Sequence, residues 1–297
     1  MIKDVHGLIG IVAHDAGGAE LIAHLVLRDS GKFIFSLQGP AVKIFERVLG
    51  EIDNKSLEDL EINADVLLCG TSWGSSLENL AIQLFRTRNK PIIAFLDHYV
   101  NYRERFIHGN FSEFPDEFWV TDEFARQKVL ELSSDIKVEI VGNPYLEYQV
   151  ASYFSKIQRV PELDAIEVLY LFEPIIMHVI ERAKDDLGYD EFTAFGYFLE
   201  NLSKCAPGAV RITLRPHPSE PNDKYVHLTK TKDPIITITT NSDILDDLTR
   251  ADVVVGCETM GLVLASALGK TVFSSIPPGG YTHDMPFLGI TFIRDLP

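Results

Sequence analysis

"ADVVVGCETMGLVLASALGKTVFSSIPPGG", residues 251–280, is the stretch on which the fold turns. It opens on ADVVVG at 251–256, continues in a helical pattern over 258–268 and closes on the apolar run TVFSSI at 271–276. Strand, helix and strand in so short a span make a βαβ unit, whose strands run parallel and are buried on both faces. The Gly-Lys-Thr at 269–271 invites a phosphate-loop reading. That loop needs a strand before it, a helix after it and a glycine where Leu264 stands; here a helix precedes and a strand follows, so the tripeptide only joins the two elements.

The same grammar extends in both directions. Upstream lie AIEVLYLF (165–172), a long helical pattern over 174–204, VRITLRP (210–216), PIITIT (234–239) and a short helix at 243–249, and ITFI (290–293) follows. An earlier series has strands GLIGIVAH (7–14), FIFSL (33–37), ADVLLCG (64–70), PIIAFLD (91–97), EFWVTD (117–122) and VEIVGNP (138–144). Between them, apolar residues at steps of three and four predict helices over 18–29, 40–49, 75–88 and 123–132. The expected fold is therefore α/β, two doubly wound Rossmann-like domains over residues 1–150 and 151–297 with an inter-domain cleft, parted by a polar, irregular passage near 148–165.

Composition narrows the function classes. The 297 residues carry a net charge of −16, which argues against nucleic acid or an anionic membrane as partner, since both need a positive face. Mean hydropathy is +0.06, and no apolar run approaches the length of about 18 residues that spans a bilayer. The start, MIKDVHGLIGIVAHDAGG, reads as a first strand and not a signal peptide, and the expected location is cytoplasmic. Cys69, Cys205 and Cys257 have no metal-binding spacing and read as small core-filling thiols. No Asp-x-Asp pair is present to bridge a divalent ion to a diphosphate, so no metal and no cofactor is expected.

In open parallel sheets ligands sit beyond the carboxyl ends of the strands, which sorts the loops by relevance. HDAGGAE (14–20) offers His14 and Asp15 as a general-base or acceptor-binding pair, with Gly17 and Gly18 permitting close backbone approach. Asp15 as a simple helix cap is the plainer reading. CGTSWGSS (69–76) adds Thr71 and Ser72 as binding candidates. DHYVNYRERF (97–106), with Asp97, His98, Tyr99, Tyr102, Arg103 and Arg105, suits either an acceptor pocket or a packing loop. In RPHPSEP, Pro216 and Pro218 hold an extended segment that displays Arg215 and His217 as preset donors for a leaving phosphate. After ADVVVG, Glu258, Thr259, Met260 and Gly261 open a helix whose free amides suit a phosphate, and Ser274 and Ser275 lie on the neighbouring strand end.

These segments, RPHP and ADVVVGCETMGLVLASALGKTVFSSIP above all, resemble those of GT-B-fold glycosyltransferases. The His-Pro pair at a strand end is similar to that of bacterial sialyltransferases, Kdo transferases and CDP-glycerol polymerases. The resemblance implies a metal-independent transferase taking a nucleotide-sugar donor, a CMP-linked acidic sugar ahead of a CDP- or UDP-linked group, and a carbohydrate acceptor, in surface polysaccharide or glycoconjugate synthesis. It implies an acceptor-side N-terminal domain and a nucleotide-sugar-binding C-terminal domain, with Arg215, His217 and Pro218 at the donor phosphate. Glu258, Thr259, Ser274 and Ser275 would face the nucleotide, and Asp15, or His14 beside it, would act as base. A sugar-nucleotide epimerase or hydrolase of the UDP-GlcNAc 2-epimerase type and a non-catalytic nucleotide-sugar-binding assembly partner stay open, as does an oligomer.

Overall fold

The structure, a computed structural model, describes residues 7–72, 75–99, 101–108, 111–132, 135–156, 165–177, 187–221, 223–281, 286 and 288–297. The chain divides into two compact units, Met1–Tyr148 and Gln149–Pro297.

Short Val, Ile and Leu runs become the strands of both units. In the first, β1 (Leu8–Ala13), β2 (Lys32–Leu37), β3 (Val66–Cys69), β4 (Ile92–Phe95), β7 (Glu117–Val120) and β8 (Lys137–Ile140) form one sheet in the order β2-β1-β3-β4-β7-β8. A separate antiparallel pair, β5 (Ile107–His108) and β6 (Phe111–Ser112), lies between β4 and β7 in sequence. Every pairing in the six-stranded sheet is parallel. All residues of β3 and β4 are buried, as a sheet covered on both faces requires. The connecting helices include α1 (Ala16–Leu27), α2 (Pro40–Leu49), α3 (Leu57–Asn63), α4 (Leu77–Thr87), α5 (Glu123–Leu132) and α6 (Pro144–Lys156).

The second unit repeats the plan with β9 (Ile166–Leu171), β10 (Val210–Arg215), β11 (Ile235–Ile238), β12 (Val253–Gly256), β13 (Thr271–Ser274) and β14 (Thr291–Phe292), ordered β11-β10-β9-β12-β13-β14 and parallel throughout. Its helices include α7 (Glu191–Glu200), α8 (Leu202–Cys205), α9 (Ile244–Leu248) and α10 (Met260–Ala267). Tyr170, Phe172, Phe195, Phe198 and Tyr225 fill the core on one face, with Phe172 stacked on Tyr225 at 3.8 Å. Each such ring contributes roughly 1.5–3 kcal/mol by leaving water. Strand order reverses between β1 and β3 in the first unit and between β9 and β12 in the second, the positions at which doubly wound sheets generally receive ligands.

Three local expectations are corrected. The passage near 148–165 begins as helix, because α6 runs to Lys156; residues 157–164 lie outside the described ones. The helical pattern over 174–204 is interrupted: Gly188 takes φ +77°, the segment at 187–190 is not helical, and Asp190 starts α7 afresh by accepting the Thr193 N–H at 2.6 Å. Residues 178–186 of that pattern lie outside the described residues. Helix α3 was not expected, since its apolar stripe is only one turn long; the Ser56 hydroxyl caps it by accepting the Asp59 N–H at 3.0 Å, and Leu60 is fully buried.

Candidate functional site

At the switch point of the first unit, β1 ends in His14 and Asp15 and β3 ends in the loop carrying Thr71 and Ser72. Asp15 stands at the N-cap position of α1, yet its side chain makes no capping bond. Its Oδ1 instead lies 2.7 Å from His14 Nδ1 and accepts the Ser72 hydroxyl at 2.8 Å. Asp15 is thus no mere cap. Ser72 and Thr71 are buried, while His14 and Asp15 keep 26% and 30% of their side chains open to solvent, so the pair can meet a substrate. Glu78, in the first turn of α4, accepts the His14 backbone N–H at 2.8 Å. Burial pushes its carboxyl up to about 7.

The two glycines of HDAGG do different work from the expected close approach to a ligand. A Cβ on Gly18 would stand 3.2 Å from Gly70 Cα, so Gly18 lets α1 approach the β3 loop. A Cβ on Gly17 would stand 1.9 Å from Asp97 Oδ2; the protein's own carboxylate lies against the first turn of the helix, where an anion is favoured. Asp97 is held by Thr71 Oγ1 at 3.3 Å and by Arg105 at 3.4 Å. Arg105 is buried and also donates to the Thr71 carbonyl and hydroxyl, at 3.2 and 3.0 Å. Tyr99 is buried and donates to Asp122, and Tyr102 is buried as well, so of the 97–106 loop the exposed His98, Arg103 and Glu104 remain outward.

In the second unit the RPHP segment leaves β10 as expected, but its two basic residues part company. Arg215 turns to the loop after β11, donating to Asp247 Oδ2 at 2.6 Å and to the carbonyls of Asn241 and Ser242 at 3.1 and 2.9 Å. Asp247, buried, also accepts from Thr239 and Asn241, each at 2.7 Å. Arg215 therefore ties two strand ends together, which sequence spacing could not show. His217 is presented differently. Its Nδ1 accepts the Ser219 N–H at 3.2 Å and lies 2.7 Å from the Ser219 hydroxyl, so the neutral ring carries its proton on Nε2. Burial lowers the imidazole below the ordinary histidine range, with Glu220 opposing, and favours that neutral donor. The turn rests on Glu220, buried, which takes the His217 N–H at 3.3 Å, Lys224 at 2.6 Å and the Tyr225 hydroxyl at 2.9 Å. Lys224 bonds buried Glu191 as well. Pro218 is exposed beside the ring.

At the β9–β12 switch point, Glu173 accepts the Cys257 and Glu258 N–H groups at 3.2 and 2.7 Å. Burial pushes this carboxyl up to about 7. Of the amides that the sequence offered to a phosphate, that of Glu258 is thus already bonded to a protein carboxyl. Thr259 caps α10 by accepting the Gly261 N–H at 3.3 Å, and Gly261 has no room for a side chain, since a Cβ would meet Leu171 Cδ1 at 2.6 Å. Glu258, Thr259, Met260 and Gly261 are half-buried at the lip. Ser274 and Ser275 are fully buried; their hydroxyls donate to the carbonyls of Cys257 and Gly256 at 2.9 and 3.1 Å, and Tyr170 meets Ser275 at 2.9 Å. They brace the loop from behind. Cys69, Cys205 and Cys257 are all buried and free.

Sequence reasoning passed over Glu78, Glu173, Glu220 and Asp247. Glu173 and Glu220 carried a signal, their places in the strand-end segments FEP (172–174) and RPHPSE (215–220). Among the described residues no group of three or more His, Cys, Asp or Glu is arranged to hold a metal, and no helix is long and apolar enough to cross a membrane.

No family model and no curated protein matches the chain. Solved structures do. A protein assigned as a UDP-N-acetylglucosamine 2-epimerase from Listeria monocytogenes superposes with a TM-score of 0.63 at 12% identity, covering 96% of this chain and 83% of that one. The UDP-GlcNAc 2-epimerase of Neisseria meningitidis, bound to UDP-GlcNAc, gives 0.59 at 11%, covering 90% and 82%. The glycotransferase of kitacinnamycin gives 0.54 at 14%, covering 98% and 87%. At these identities the likeness is one of fold: the chain has the α/β architecture of two Rossmann-like units that GT-B glycosyltransferases and these epimerases also have.

Proposed function

We propose that the chain is an enzyme acting on a nucleotide-activated sugar: a metal-independent glycosyltransferase that moves a CMP-linked acidic sugar to a carbohydrate of a surface polysaccharide or glycoconjugate. The donor binds the second unit and the acceptor the first. Asp15 takes the Nδ1–H of His14, which leaves the Nε2 lone pair as proton acceptor for the incoming hydroxyl; Ser72 fixes Asp15. As the acceptor oxygen bonds to the anomeric carbon, the bond from that carbon to the phosphate oxygen breaks. His217 Nε2–H and the opening turn of α10 at Thr259 and Met260 meet the charge that develops on the departing phosphate. Arg215, Ser274 and Ser275 keep these loops in place. The observation that carries the reading is His217, held by its neighbours in the donor tautomer at the carboxyl edge of a Rossmann-like sheet.

Thermal unfolding in the presence of CMP, CDP, UDP, GDP and ADP tests it, because a ligand that prefers the folded state raises the midpoint by mass action. CMP is expected to raise it most; no response to any nucleotide overturns the reading. A second reading, epimerisation or hydrolysis of a UDP-sugar, is favoured by the two epimerase superpositions at 0.63 and 0.59. It predicts that UDP gives the largest rise and that the sugar nucleotide is consumed without an acceptor sugar. Tight nucleotide binding with no turnover of any donor would select a non-catalytic binding partner.

A further inference from the structure

Glu78 takes no part in the chemistry above, yet it is built into the same switch point. It is buried at the first turn of α4, its Oε1 accepts the backbone N–H of His14 at 2.8 Å, and its Oε2 is buried with no hydrogen-bond partner. A buried carboxyl oxygen left without a donor is costly, and a residue carrying one invites a reason for its presence. The neighbouring hydrogen bonds supply one. The His14 N–H reaches Glu78 across the gap between α4 and the end of β1, and it belongs to the residue whose ring pairs with Asp15.

We infer that Glu78 is a positioning residue: its carboxyl grips the His14 peptide and so fixes the direction in which the His14–Asp15–Ser72 chain of hydrogen bonds faces. The role rests on the reading of His14 as proton acceptor. A leucine or alanine there would leave the His14 N–H unbonded beneath the site, whereas glutamine keeps the acceptor and loses the acid. The second consequence is electrical. The titratable groups facing Glu78 are His14 and Asp15 after β1 and the Cys69 thiol at the end of β3, and burial followed by the Glu78 charge pushes that thiol up. When the carboxyl, raised to about 7, loses its proton, a negative charge appears beside Asp15 and beneath the His14 ring.

The test follows the Cε1–H resonance of His14 by NMR across pH in the wild-type chain and in Glu78→Gln and Glu78→Ala, with His14→Gln identifying the signal. The wild-type curve is expected to carry an inflection near pH 7, where the Glu78 carboxyl loses its proton beneath the ring. Glu78→Gln should lack that inflection, because the neighbouring charge is gone. Glu78→Ala should in addition move the resonance at alkaline pH, where the ring is neutral and only its placement matters. Superimposable wild-type and Glu78→Gln curves would overturn the inference, as would an unmoved alkaline resonance in a folded Glu78→Ala; should alanine prevent folding, the glutamine curve decides alone. No substrate enters the measurement. A chain that turned over no sugar nucleotide would leave this result standing, and a failed titration would leave the functional reading intact.

Discussion

Glu173 offers the sharpest energetic prediction. Its carboxyl sits inside the second unit, bonded to the amides of Cys257 and Glu258, and is raised from 4.5 to about 7. Below the ordinary carboxyl range both folded and unfolded chains hold the proton, and nothing is lost. As pH climbs from there to about 7 the unfolded chain sheds the proton while the folded chain keeps it, so stability falls with rising pH, and above about 7 the loss is complete. At about 1.4 kcal/mol for each tenfold change, the whole span is worth about 3 kcal/mol. Glu173→Gln accepts from the same two amides and has no proton to lose. Urea unfolding of both proteins between about pH 4.5 and about pH 8, followed by far-UV circular dichroism, isolates the effect, because the other groups cancel in the difference. The variant should gain about 3 kcal/mol on the wild type across that span. A difference that stays constant with pH would refute the buried-acid reasoning.

Other substitutions separate structural ties from chemistry. Asp247→Ala strips the partner from Arg215 and from two further donors inside the second unit, and should cost about 3–5 kcal/mol in urea unfolding. Gly17→Ala drives a methyl into Asp97, which cannot withdraw without leaving Thr71 and Arg105; about 1–3 kcal/mol of stability should be lost, read as a lower denaturant midpoint. His217→Ala removes a half-buried ring that meets the Ser219 hydroxyl, so the urea midpoint should hardly change while turnover of the sugar nucleotide falls about a hundredfold.

How far the sequence could be read followed from what each feature depends on. Runs such as Val253–Gly256 and Ile92–Phe95 declare themselves by composition, because a strand buried on both faces leaves no polar position to confuse the pattern. Helix α3 escaped because seven residues with an apolar stripe of one turn show too little periodicity to detect, and the pattern over 174–204 looked continuous because Gly188 and Asp190 are tolerated in either reading. The switch-point residues His14 and Asp15 were legible as a polar pair at a strand end. Their mutual arrangement was not: Ser72 reaches Asp15, and Glu78 reaches His14, only once β3 lies beside β1. Arg215 shows the limit most clearly. A basic residue beside a histidine suggests a shared anion, yet its partner Asp247 stands far along the chain and meets it only through the loop after β11.

The central claim, that His217 offers an Nε2–H to the phosphate of a nucleotide, is tested most directly by NMR titration of the His217 ring with and without CMP. A bound phosphate draws the imidazole toward its charged form, so saturating CMP should shift the His217 resonance and raise its midpoint from below the ordinary histidine range by about one pH unit. A His217 signal that neither moves nor changes its midpoint, under conditions where another probe shows the nucleotide bound, would contradict the account.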